Sequence, residues 1–130
     1  LLNILGAKLM AATNNEPMAT TFATLWLAAI VSAAVDNIPF VATMIPMVES
    51  MEVAIGGKEA LEPVWWALAL GACFGGNGSL IGAAANVMVA GLGERAGYPI
   101  TFGKFLLLGL PMMLGSMVIA TGYMYLKHFW

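Results

Sequence analysis

Charge is scarce in this 130-residue chain: Lys, Arg, Asp and Glu make up 9% of it, against the ~25% usual in soluble domains. The five cations, Lys8, Lys58, Arg95, Lys104 and Lys127, are scattered, so there is no basic stripe for a nucleic acid. Cys73 is the only cysteine, which excludes an internal disulfide and a Cys-based metal site and suits a small buried apolar residue. Asp36 is the only aspartate, so an intramembrane aspartyl protease, which needs two, is excluded. Gly75 to Ser79 lacks the Gly-Lys-Ser/Thr of a phosphate loop, and Gly76-x-Gly78 is followed by Gly82 one residue too late for a dinucleotide fingerprint. Neither an enzyme nor a cofactor is expected. No initiator Met, basic leader or cleavage site precedes the first apolar segment, so the chain reads as a piece of something longer.

What is abundant is apolar surface. The chain is 61% hydrophobic with a mean hydropathy of +0.88, more than a soluble core of this size can use. Between Glu62 and Glu94 no side chain is charged, and the middle of that stretch is Gly75-Gly76-Asn77-Gly78-Ser79, poorly able to continue a helix. One crossing of the ~30 Å hydrocarbon core takes ~20 apolar residues. Val64 to Leu92 meets that length and places the break near half depth, so a discontinuous transmembrane helix is expected there. Lipid offers no hydrogen bonds to backbone freed from its helix; protein, an ion or a solute must supply them. Asn77-Gly78-Ser79 also has the form of a glycosylation site, at the wrong depth.

Leu1 to Met10 reads as the end of an earlier helix, followed by a polar turn, Ala11 to Pro17, with Pro17 suited to a helix start. The apolar run Met18 to Val35 stops at Asp36-Asn37-Ile38-Pro39, where proline removes an N–H and pushes Ile38 away from helical torsions. The next run, Phe40 to Met51, is about a dozen residues, roughly 18 Å of helix and too short to span. An acidic loop is expected from Glu49 to Glu62. Met18 to Met51 is therefore either one kinked crossing or a re-entrant hairpin, and length favours the hairpin. Trp65 and Trp66 mark the entry of the broken helix into the interface. The loop Gly93 to Thr101 leads to a final span, Phe105 to Leu126, closed by Tyr123, Tyr125, Lys127, His128 and Trp130 as interfacial residues. The fold class is thus all-α, a polytopic membrane protein with a re-entrant helical hairpin and a discontinuous helix.

Asp36 is the only acid inside an apolar segment away from its ends. Burial disfavours its charge and a bound cation restores it, so it can exchange a proton for an ion. The plainer alternative is an N-cap for the helix that starts near Pro39. Asn37, Asn77, Ser79 and Asn86 flank the two breaks with donors and acceptors. A simple glycine kink is the alternative for Asn77 and Ser79, and an interhelical hydrogen bond for Asn86. Gly82 to Ala85 forms a thin face for close packing, and the stripe Met44, Met47, Met51 and the group Met112, Met113, Met117 read as packing residues.

Ser32-Ala33-Ala34-Val35-Asp36-Asn37-Ile38-Pro39-Phe40-Val41-Ala42-Thr43-Met44-Ile45-Pro46, followed by Gly75-Gly76-Asn77-Gly78-Ser79-Leu80-Ile81-Gly82-Ala83-Ala84-Ala85-Asn86-Val87, closely resembles the ion transporter superfamily. The likeness is nearest to its arsenite permease and melanosomal P protein branch, beside the NhaD-type sodium/proton antiporters and citrate-transporter-like domains. It implies two inverted repeats, each with a re-entrant hairpin and an unwound helix, with solute and coupling-ion sites between their tips. This chain would be the end of the second repeat: hairpin 18–51, broken helix 64–92, final helix 105–126. The hairpin-tip motif falls on Asp36, Asn37 and Pro39, and the unwound-helix motif on Gly76, Asn77, Gly78 and Ser79. Members similar to the sodium/dicarboxylate symporters carry Ser-Asn-Thr at the tip. Here Asn37 is kept while Asp36 and Ile38 replace its neighbours, and an anionic Asp repels a carboxylate.

The resulting expectation is a secondary active ion transporter of the inner or plasma membrane, proton- or sodium-coupled, moving a small inorganic ion or anion. Asp36 is the coupling group, and Asn37, Gly76, Asn77, Gly78, Ser79 and Asn86 form the binding set, with a coupling sodium placed at Asp36, Asn37 and Asn77. A citrate/dicarboxylate symporter, a channel and a non-transporting membrane subunit or scaffold are the alternatives. Expected partners are the lipid bilayer, the small solute and the N-terminal repeat of the same protein, with a homodimer left open.

Overall fold

The computed structural model describes residues 2–130, except for the side chains of residues 2, 3 and 5. Every regular element among the described residues is helical. In chain order they are α1 (Leu2–Ala12), α2 (Pro17–Ala34), α3 (Asn37–Ser50), a short α4 (Glu52–Ile55), α5 (Lys58–Gly75), a 3-10 turn (Gly76–Gly78), α6 (Ala84–Arg95) and α7 (Phe102–His128).

The punctuation follows local chemistry. Asn14 and Asn15 take the left-handed conformation (φ 52° and 57°), which Asn tolerates, and Pro17 opens α2 at a position whose N–H would be unpaired anyway. The turn between α2 and α3 is tighter than the sequence suggests: only Val35 and Asp36 lie outside helix. Pro39 falls in the first turn of α3, where its missing N–H costs nothing, and Ile38 is helical. The expected acidic loop from Glu49 to Glu62 is also mostly helical. Gly56 (φ 109°) and Gly57 (φ 103°) end α4 and turn the chain into α5, so the first half of the broken helix begins at Lys58 rather than Val64.

The turn before α2 lies near the end of α3. Asn15, Ser50, Met51 and Ala54 line one cavity of about 510 Å³ with Gly6 and Met10 of α1. α2 then runs parallel to α5 at very short range. Leu25 and Ala28 pack on Gly71, and Ala29 packs on Gly75, whose missing side chain lets the backbone of Ala29 approach. This is small-xxx-small packing. α7 runs antiparallel to both: Gly109 meets the carbonyl of Asn77, Met113 meets Gly78, Lys127 Nζ lies 4.4 Å above the Trp66 ring, and the Phe22 and Phe129 rings lie 5.9 Å apart, tilted by 49°. Methionines fill the irregular gaps of both cores, Met44, Met47 and Met51 in one and Met113, Met117 and Met124 in the other.

α2 and α7 are each long and apolar enough to cross a membrane. α7 is apolar around its whole circumference yet leaves Leu107, Leu108, Val118 and Ile119 exposed, and α6 buries none of its residues. Water does not tolerate such a surface on this scale. Cys73, expected to be buried, faces outward from α5, because Gly71, Ala72 and Gly75 occupy the packed side of that helix.

Candidate functional site

The end of α2 is tied to α5 and to the helix break by hydrogen bonds. Ser32, fully buried near the end of α2, donates from Oγ to the Ala72 carbonyl at 2.7 Å. Ser79 donates to the Ala33 carbonyl and accepts the N–H of Gly82 at 3.1 Å. Gly82 is pressed so closely into this junction that a Cβ would stand 2.8 Å from the Gly76 carbonyl oxygen and 2.9 Å from that of Ser32. The backbone is irregular because Ser79 (φ −143°, ψ 164°) and Ala83 (φ −150°, ψ 139°) are extended, which leaves the last carbonyls of α5 and the first N–H groups of α6 without intrahelical partners.

Asn86 answers part of that need. Its Nδ2 donates to the Gly76 carbonyl at 2.8 Å and to the Ser79 carbonyl at 3.0 Å. Ser79 and Asn86, both expected to line a solute site, are thus engaged within the protein. Gly76 and Gly78 are buried and contribute backbone.

Asp36 caps α3: its Oδ1 accepts the N–H of Ile38 at 3.1 Å, the plainer role considered for it. Its second oxygen makes no hydrogen bond among the described residues, and the residue is half-buried. Asn37 is half-buried and Asn77 exposed. Neither side chain hydrogen-bonds to another described residue, nor does Asp36 bond to either. The fold therefore joins the elements that carry these three groups without pairing their side chains. Asn77 lines a cavity of about 580 Å³ between the break, the α6–α7 loop and the first half of α7, together with Lys104, Phe105, Met112 and Ser116. The electrostatics are asymmetric, with a carboxylate at the tip and an ammonium in the cavity beside the break.

Sequence reasoning gave no role to Ser32, Gly71 or Lys104. The four-residue spacing of Gly71 and Gly75 is a detectable packing signal, and a serine four residues before Asp36 in an apolar run could have been flagged. The contact of Lys104's cavity with Asn77 has no local signature.

The profile of a family described as citrate transporter matches residues 3–71, from α1 to most of α5. An uncharacterized transporter of Mycobacterium bovis is 44% identical over 117 residues, which covers 90% of this chain and 27% of the relative. A stretch of that length necessarily takes in both Asp36 and the break. The P protein of Sus scrofa is 46% identical over 104 residues, 80% of this chain and 12% of the relative, and a 46 kDa membrane protein of Mycobacterium leprae is 38% identical over 116 residues, 89% and 27% of the two chains. No solved structure matches. The chain spans about a quarter of the mycobacterial relatives it matches. Since the profile covers just over half of it, the chain belongs to the citrate transporter family, a family of transporters and not of enzymes.

Proposed function

We propose that this chain is the site-bearing part of a secondary active transporter in the inner or plasma membrane, in which Asp36 couples solute movement to a proton or sodium ion. The observation that carries the reading is the junction itself: the end of α2, directly before the turn that bears the only aspartate, is tied to α5 by the Ser32–Ala72 hydrogen bond and to the break by the Ser79–Ala33 hydrogen bond. Interrupted backbone at membrane depth is tolerated only where protein or a cavity satisfies it, and half-helix ends at such a point offer both free carbonyls and free N–H groups to ions. Asn37 and Asn77 supply amides that are not engaged elsewhere among the described residues, and Gly76, Gly78 and Ser79 set the backbone around them. A coupling sodium would take its oxygens from Asp36, Asn37 and Asn77. The remaining ligands would come from the N-terminal repeat. Because α2, α5 and the break are cross-tied, they move as one body in alternating access.

The transported solute under this reading is a small inorganic ion or anion. A carboxylate such as citrate is a second reading, supported by the family description and by Lys104, whose ammonium shares the Asn77 cavity. Proton- or sodium-driven uptake into proteoliposomes holding the full-length protein, with phosphate, arsenite and citrate offered separately, tests both. Absence of any gradient-driven uptake rejects the transporter reading, and uptake of citrate alone selects the second.

The same reading makes 18–51 a re-entrant hairpin. At ~1.5 Å per residue α3 is only ~21 Å long, short of the ~30 Å core. Single cysteines at Asn15 and Lys58 in a Cys73→Ala background should react with an impermeant maleimide from the same side of the membrane. Labelling from opposite sides would show a crossing.

A further inference from the structure

We propose that Asn86 is a positioning residue that pins α6 to the break through its two amide protons, rather than a ligand of the solute. The inference deepens the transporter reading and rests on it only where transport is measured. Asn86 is the third residue of α6, whose N-cap, Ala83, has no side-chain acceptor to offer. A side chain at this position commonly reaches back to the chain entering the helix. Here it reaches the carbonyls of Gly76 and Ser79, on either side of Asn77 and Gly78, at 2.8 and 3.0 Å. Among the described residues no other α6 side chain hydrogen-bonds to the rest of the chain, and α6 buries none of its residues. One –NH2 group therefore holds the second half of the broken helix at a fixed angle to the first. It also gives the Gly76 carbonyl a donor that lipid could not supply, and adds a second donor to the Ser79 carbonyl, which accepts the Gly82 N–H at 3.3 Å. With both flanking carbonyls held, the backbone of Asn77, which lines a cavity with Lys104, is held too.

The donor, not the bulk, carries this role, which gives it a distinctive pH signature. Asn86→Asp keeps the shape but as a carboxylate has no proton to donate, and its oxygens face two carbonyl oxygens. Once protonated, it regains one O–H donor. Hydrogen–deuterium exchange of the segment 79–87 in the full-length protein in lipid nanodiscs, referred to wild type at each pH, should rise about tenfold in Asn86→Asp at pH 7.5 and fall back toward wild type at pH 5. In Asn86→Ala it should stay high at both. Gradient-driven uptake, normalised in the same way, should follow: low for Asn86→Asp at pH 7.5 with partial rescue at pH 5, and no rescue for Asn86→Ala. Equal exchange in Asn86→Asp and Asn86→Ala at both pH values, or wild-type exchange in Asn86→Asp at pH 7.5, overturns the proposal. Exchange is readable whether or not any offered solute is carried, so wild-type protein without uptake counts against the transporter reading and leaves the role of Asn86 to the exchange result.

Discussion

Coupled flux through the full-length protein should collapse when Asp36 is replaced by Asn, while insertion and folding stay close to wild type. The structure separates the two roles of this residue. Its structural role is to accept the N–H of Ile38 at the start of α3, and an asparagine carbonyl accepts that bond as well as a carboxylate does. Its proposed functional role needs a group that gains and loses a proton, and an amide does not titrate. Asp36→Asn should therefore leave solute binding measurable but remove the dependence of flux on the driving gradient and on pH. Asp36→Ala loses the cap as well, at a cost of ~1 kcal/mol, and should add a loss of thermal stability that Asp36→Asn does not show. Asn77→Ala, by contrast, would remove the proposed hydrogen bonds to solute or ion, of roughly 0.5–1.5 kcal/mol each, and should mainly weaken apparent solute affinity. Flux with an unchanged pH profile in reconstituted Asp36→Asn protein would reject Asp36 as the coupling group and move that role to an acid elsewhere in the full-length protein.

The largest structural effect is expected from Gly75→Ala. A methyl group there would run into the backbone of Ala29, with the Cα at 2.6 Å and the carbonyl carbon at 2.8 Å. Backbone cannot rotate out of the way as a side chain can, so α2 and α5 must separate. Overpacking of this kind costs roughly 1–3 kcal/mol, more than the ~1 kcal/mol that alanine gains over glycine in helix propensity. Gly75 is also the last residue of α5, directly before the 3-10 turn. Pushing it away from Ala29 strains the Ser32–Ala72 and Ser79–Ala33 hydrogen bonds, so the thermal midpoint in detergent and transport should fall together. A midpoint equal to wild type would show that the two helices are not in contact at this distance in the membrane.

Both interruptions were legible in the sequence because their causes are local. A run of Gly75, Gly76 and Gly78 weakens a helix wherever it lies, and Asp36 followed by Pro39 marks a helix start by capping and by a missing N–H. The long apolar runs, the absence of clustered charge and the all-helical class are equally local properties. Sequence alone misjudged how tightly the turns close. Pro39 reads in the sequence as the point where a helix stops, although it lies in the first turn of α3, which has no hydrogen bond for it to break. The segment from Glu49 to Glu62, acidic and Gly-containing, reads as loop, although the turn is confined to Gly56 and Gly57 in the left-handed region and most of the rest is helical.

Only the tertiary structure decided which polar groups remain free. Ser79 and Asn86 stand beside a break and look like ligands on paper. Yet the carbonyls released by that break need donors in a medium that has none, and these two side chains, with Ser32, serve the backbone first. For the two serines the acceptors explain why the sequence could not show it, since Ser32 reaches a carbonyl 40 residues away and Ser79 one 46 residues away, whereas those of Asn86 lie 10 and 7 residues back across the break. The serine pairings exist only once α2 and α5 lie parallel in contact; the side chains of Asn37 and Asn77 and one oxygen of Asp36 have no hydrogen-bond partner among the described residues.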